Sequence, residues 1–271
     1  MGNEPFLAEY SSESAVRKYT KTTAGDGIKY LLEHDYGDIY LRAIREYLFA
    51  SIGSGIRLLE FGCGAGMNLF HCLTLLERER VPVAAANGTD FSERLIMEAN
   101  AEAGSLGEQL RDRVKFLVAR SECLVSDMRS HLQVPQQQLL GSFHLIIGVN
   151  TFRYCYRLEK GQECAKEIYD LLLPGGVCVM IDMNRKFPMF RTLLRDVLTR
   201  PKSERYLPSL EEYAEPFSSV GFQILQKKNF CWIPHSAGPT LLGVCRTLTP
   251  LLDAVVPRFA MRSLVISRKP N

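Results

Sequence analysis

The chain has 271 residues, 46% of them hydrophobic and 23% charged, enough apolar material to bury a full core in one large domain or one domain with an added subdomain. Its formal net charge of +3 makes no argument for a nucleic-acid partner. The eight cysteines stand at least nine positions apart with no Cys-x-x-Cys or Cys/His ligand pair, so the sequence carries neither a zinc motif nor the disulfide framework of a small secreted domain.

The opening residues, "MGNEPFLAEYSSES", show no basic region followed by an apolar core, and Phe6 stands where a myristoylation signal needs Ser or Thr. Apolar stretches are interrupted before the ~18 residues that a membrane span requires. A soluble, cytoplasmic protein is the expectation. Residues 1–50 read as an N-terminal helical cap, with Ile39, Ile44 and Leu48 at helical spacing in "DIYLRAIREYLF". Residues 51–271 read as the main domain, in which strands and helices alternate.

"IRLLEFG" predicts the first strand, and "MNLFHCLTLLERE" predicts a helix carrying Leu69, Leu73 and Leu76 on one face. "VPVAAANGTD" follows as a second strand. "SERLIMEANAEAG" is a helix with Ser92 as N-cap and Gly104 as its stop. "RVKFLVA", "FHLIIGVN" and "GVCVMIDMN" are strands three to five, with the helix "KGQECAKEIYDLLL" and a tight Pro174-Gly175-Gly176 reversal ahead of the fifth. Near-continuous apolar strands separated by helices imply a parallel sheet covered on both faces. "GFQILQKKNFCWI" and "RFAMRSLVISRK" fit an antiparallel pair at the end of the sheet. Between them lies a helical insertion near 236–257, apolar from Pro239 to Pro257 and expected to break at Pro250.

The chemistry concentrates after the first strand, where Gly62, Gly64 and Gly66 follow Glu60 in "LEFGCGAGM". In an open α/β sheet ligands bind beyond the carboxyl ends of the strands, and glycine lets them approach the main chain. A dinucleotide fingerprint wants a small residue three after Gly64, and Met67 is there instead. An acidic residue two before the first glycine opposes a pyrophosphate and suits a cationic group. In this form, "EFGCGAG" resembles the first motif of the class I S-adenosylmethionine-dependent methyltransferases.

That resemblance runs well from Gly55 to Met183 and more loosely beyond. It implies an α/β fold with a doubly wound, mostly parallel seven-stranded sheet, an antiparallel last strand, and S-adenosylmethionine as cofactor, with no metal. Cofactor-binding roles carry over to Glu60, Gly62, Cys63, Gly64 and Gly66. Asp90, 24 residues after Gly66, would hold the ribose hydroxyls with Phe91 beside the adenine. After the third strand the family's acidic residue is replaced by Arg120 and Ser121, which leaves Ser121 or Glu122 for the adenine amino group. At the fourth strand His144 replaces another acidic residue. Asn150 is placed against cofactor or acceptor.

The acceptor would approach across the ends of strands four and five, where Arg153, Tyr154, Tyr156, Asp182 and Asn184 lie. Tyr154 is a candidate for the sulfonium's side and Asp182 for base or orienter; His235, on the loop after strand six, is the candidate general base. Tyr19 and Tyr36 are candidates to close over the cofactor. No Asn/Asp-Pro-Pro-Tyr/Phe stretch occurs, which disfavours nucleic-acid acceptors. The segment Asn184 to Arg205 holds seven basic and two acidic residues, and with the apolar stretch it hints at an anionic or amphiphilic small-molecule acceptor. An acceptor lid, a dimer contact and a peripheral membrane contact all stay open for that apolar stretch, and with them the oligomeric state. A nicotinamide-dependent oxidoreductase and a non-catalytic binding protein of the same fold are the alternatives.

Overall fold

The computed structural model describes residues 12, 25–48, 52–53, 55–157, 159–188 and 207–271. Tyr19 and most of the basic segment Asn184 to Arg205 lie outside the described residues, as does the side chain of Tyr156. Seven strands, β1 (Ile56–Phe61), β2 (Val83–Asp90), β3 (Val114–Val118), β4 (Phe143–Val149), β5 (Leu172–Met183), β6 (Gln223–Phe230) and β7 (Arg262–Arg268), form one sheet. Their order is β3-β2-β1-β4-β5-β7-β6. β7 runs antiparallel to both β5 and β6, and the other pairs are parallel. The chain leaves β1 toward β2 and returns on its other side as β4, so the ends of β1 and β4 flank the switch point where open α/β sheets bind ligands.

Alternation along each strand sends neighbours to opposite faces. Leu58, Leu145, Val179 and Leu264 enter one core layer while Leu59, Ile146, Cys178 and Val265 enter the other. The first layer is closed by α1, a helical run over 26–48 that includes π-type turns at Leu31–Asp35 and Ile44–Leu48, together with α2 (Met67–Arg78) and α3 (Glu93–Ala103). Ile39, Ile44 and Leu48 of α1 are buried in it. The second is closed by α4 (Leu124–Leu132), α6 (Gly161–Leu171) and α7 (Leu210–Ser219), and the short α5 (Arg153–Arg157) follows β4.

Ser92 caps α3 by accepting the Leu95 N–H, and Gly104 ends that helix in a right-handed conformation, φ −60°. Two local expectations are corrected. Pro174, Gly175 and Gly176 lie within β5, not ahead of it, at an irregularity where the β4 register shifts. The insertion helix α8 (Pro239–Val255) runs through Pro250 without a break. None of its residues is buried, so the Arg246 carbonyl that loses its amide partner stays accessible to solvent. α8 leans on α1 through Arg246, 4.9 Å above the Tyr30 ring, and its Asp253 accepts from Trp232 Nε1 at 2.7 Å. Leu241, Val244, Leu248, Leu251 and Val255 form its exposed outer stripe. Among the described residues no helix is long and apolar enough to cross a membrane.

Candidate active site

The glycine turn leaves β1 in the left-handed region at all three glycines, with φ of +65° at Gly62, +56° at Gly64 and +82° at Gly66. Two of them make room for the protein's own side chains. A Cβ on Gly62 would lie 2.1 Å from Thr151 Cγ2, and one on Gly66 would lie 2.7 Å from Phe70 and 2.8 Å from Phe116. Thr151, just past β4, returns the contact by donating to the Gly62 carbonyl at 3.1 Å. Cys63 is buried between Gly64 and Gly88 with its thiol pushed well up by burial, and its main chain is spent on the Thr89 carbonyl and the Gly66 N–H.

Glu60 is 2% exposed. Its Oε1 accepts from Asn68 Nδ2 at 2.7 Å, and Asn68 Oδ1 in turn accepts from the Tyr40 hydroxyl at 3.1 Å, so α1 and α2 both aim polar groups at the end of β1. Its Oε2 is buried and has no hydrogen-bond partner among the described residues. Burial pushes the carboxyl up to about 8 despite the donors at Asn68 and Leu69, and the nearby Asp90 adds to the rise.

Asp90, at the end of β2, ties the turn to the neighbouring strand. Its Oδ2 accepts the Gly64 N–H and its Oδ1 the Ser92 N–H, each at 2.9 Å. The Phe91 N–H is a third backbone donor to this carboxylate. Phe91 beside it is half-buried. Beyond β3, Arg120 is drawn onto Asp127 of α4 at 3.1 Å and Glu122 onto Lys160 at 3.0 Å. Ser121, between them, is half-buried and belongs to neither ion pair.

The ends of β4 and β5 meet where Asn150, at φ +57°, donates its N–H to the Ile181 carbonyl. Asp182 is fully buried, not solvated, and anchors the loop after β4 by accepting the Arg153 N–H at 3.1 Å and the Met183 N–H at 2.8 Å. Burial raises its carboxyl and the Arg153 guanidinium, 3.6 Å away, opposes the rise. The same guanidinium sits 4.8 Å above the Tyr154 ring and donates to its hydroxyl at 2.9 Å. Asn184 spends its side chain on the Ala260 and Arg258 carbonyls and the Lys186 N–H. His235 Nε2 lies 3.2 Å from the hydroxyl of Tyr36, which α1 buries at the same edge. The three residues expected at the reaction therefore fall into two groups, Asp182 with Tyr154 and His235 with Tyr36.

Residues 59–178 match the family model of a methyltransferase domain. Over this stretch, somewhat under half of its length, the chain is similar to a methyltransferase domain. The match begins in β1 and ends in β5, so it takes in both the glycine turn and the switch point. The citrinin polyketide synthase of Monascus purpureus is 29% identical over 136 residues, 50% of this chain but 4% of that protein's length. An S-adenosylmethionine-dependent methyltransferase from Mesorhizobium loti superposes with TM-score 0.54 at 20% identity, covering 84% of this chain and 96% of that one. The methyltransferase (CMeT) domain of the citrinin synthase gives TM-score 0.54 at 19% identity over 89% and 54% of the two chains. The [4+2]-cyclase SpnF gives TM-score 0.53 at 16% identity over 87% and 80%. At these identities the superpositions establish the fold alone, and the last shows a methyltransferase-like fold on a protein titled a cyclase.

Three groups around the site escape a motif search. Asn68 and Tyr40 need the α1–α2 packing to be seen at Glu60. Arg262 needs the pairing of β7 with β5 to be seen beside Asn150.

Proposed function

We propose that this chain transfers a methyl group from S-adenosylmethionine to a small-molecule acceptor that approaches across the ends of β4 and β5. The observation that carries the proposal is the unpartnered, buried Oε2 of Glu60 beside the glycine turn. That oxygen suits an ammonium group, as the cofactor's amino acid end carries, and it opposes the pyrophosphate of a nicotinamide nucleotide. Asp90, at the end of β2 beside the glycine turn, takes the ribose hydroxyls. Phe91 and Ser121 flank the adenine. The main chain of Gly62, Cys63, Gly64 and Gly66 forms the floor, and Asn150 faces the reaction.

When bound, S-adenosylmethionine would supply an electrophilic methyl group and leave as the neutral thioether. The chain's own residues align the acceptor and remove its proton. His235, hydrogen-bonded to Tyr36, is the group suited to hold that proton. Arg153, pinned through Asp182, positions Tyr154. Asp182 thus acts as an orienter, since both of its oxygens already hold backbone amides.

Calorimetric titration with S-adenosylhomocysteine, NAD and NADP tests the proposal. Binding of the first alone, followed by turnover with an acceptor from a small-molecule screen, is the expected result. Binding of a nicotinamide nucleotide alone overturns it in favour of an oxidoreductase. Cofactor binding without methyl transfer to any acceptor class overturns it in favour of a protein that keeps the fold for another purpose, as the [4+2]-cyclase SpnF illustrates.

A further inference from the structure

Arg262 opens β7 opposite Met183 of β5 and Phe230 of β6, so it sits at the same edge of the sheet as the ends of β4 and β5. It is 4% exposed. Its terminal nitrogen donates to Asn150 Oδ1 at 3.2 Å, which carries the guanidinium across β5 to the end of β4. Its Nε is buried and has no hydrogen-bond partner among the described residues. No carboxylate among them lies within ion-pairing distance of it, and Asp182 is paired with Arg153 instead. The Tyr36 hydroxyl neighbours the guanidinium and also meets His235.

A guanidinium in this state is costly. Taking a cation out of water is penalised unless an anion and hydrogen bonds offset it; the Asn150 amide and Tyr36 hydroxyl oxygens are neutral, and Asp182, whose charge Arg262 feels, is held by Arg153 and two backbone amides. Arginine's fork is suited to two oxygens of one carboxylate or to an enolate or phenolate oxygen. The neighbours are consistent with that use, since an amide, a phenol and an imidazole are each able to donate to an anionic oxygen.

We propose that Arg262, with Tyr36 and Asn150 beside it, is the acceptor-recognition site of the methyl transfer, and that the acceptor presents an ionised oxygen to it. This rests on the methyltransferase reading above. It assigns the specificity of the site to a residue outside the matched domain, in the last strand of the sheet.

The test uses the full chain saturated with S-adenosylhomocysteine. Acetate, octanoate, benzoate and 4-nitrophenolate are titrated in, each beside its uncharged amide or methyl ether. At least one anion is expected to bind tenfold or more tightly than its neutral counterpart. Arg262→Met is expected to erase that preference while S-adenosylhomocysteine affinity stays within about threefold of wild type. Arg262→Lys, which keeps the charge but loses the fork, is expected to retain part of the preference.

Because no carboxylate among the described residues lies within ion-pairing distance of the guanidinium, Arg262→Met is also expected to raise the melting temperature of the ligand-free protein by about 2–4 °C. No preference for any anion in cofactor-bound wild type overturns the inference and leaves the methyltransferase reading standing. So does a preference that survives Arg262→Met, or a lowered melting temperature, which makes Arg262 a structural clamp. Loss of S-adenosylhomocysteine binding in the variant also overturns it, by making the cofactor's own carboxylate the partner. Failure of wild type to bind S-adenosylhomocysteine removes both proposals.

Discussion

Glu60 ties cofactor binding to pH in a way that a single substitution abolishes. Burial lifts its carboxyl from an ordinary 4.5 to about 8. Between those values the folded protein holds a proton that the unfolded chain releases, so Glu60 lowers the stability of the ligand-free protein progressively as pH rises through that window. An ammonium group placed against Oε2 reverses the preference by favouring the carboxylate. Binding therefore expels the proton, and affinity for S-adenosylhomocysteine is expected to rise about tenfold per pH unit below 8 and to level off above it. Calorimetry at pH 6, 7 and 8 reads the affinity, and repeating it in phosphate and in Tris, which differ in ionisation enthalpy, counts the proton. Close to one proton should leave per cofactor bound at pH 6 and 7. Glu60→Gln keeps the shape and the Asn68 contact but has nothing to titrate, so its weaker binding should be flat with pH and release no proton. A flat wild-type profile refutes the reasoning, and proton release that persists in Glu60→Gln transfers it to Asp90, whose carboxyl burial also raises.

Asp90→Ala removes charged hydrogen bonds to the ligand and the clasp on Gly64, and is expected to weaken S-adenosylhomocysteine binding by roughly 1.5–3 kcal/mol; unchanged affinity in a folded variant removes Asp90 from the ribose role. Gly62→Ala puts a Cβ 2.1 Å from Thr151 at φ +65°, so urea unfolding should show a loss of about 2 kcal/mol or more, and Thr151→Ala in the same chain should restore part of it. Leu251→Ser, on the outer stripe of α8 at 61% exposure, should change stability by less than about 0.5 kcal/mol; a larger loss in urea unfolding means that this stripe is covered in solution.

The order of strands and helices was legible because the central strands β1, β4 and β5 carry near-continuous apolar runs, as a sheet buried on both faces requires, and helices with clear periodicity separate them. The glycine turn was equally legible, since three residues at left-handed φ accept almost nothing else. Local signals misled where context outweighed them. Pro250 reads as a helix breaker but lies on an exposed helix that tolerates the lost hydrogen bond, and Pro174 to Gly176 read as a turn but are held in β5 by its partners.

The site divides along the same line. That Glu60, Gly62, Gly64 and Asp90 lie together at the ends of β1 and β2 was legible, because short spacing around one strand and one turn sets their places. Asp182, a candidate base or orienter from its place at a strand end, is buried beneath the loop after β4, because its position depends on β5 pairing with both β4 and β7. Arg262 and Tyr36 lie 226 positions apart, and nothing local brings them together. The sequence alone determined the fold class and the cofactor turn, through periodicity and backbone sterics that act within a few residues. Only the tertiary structure decided which charges lose their water and which of those are left without a partner, because desolvation is a property of everything packed around a group and not of its neighbours in the chain.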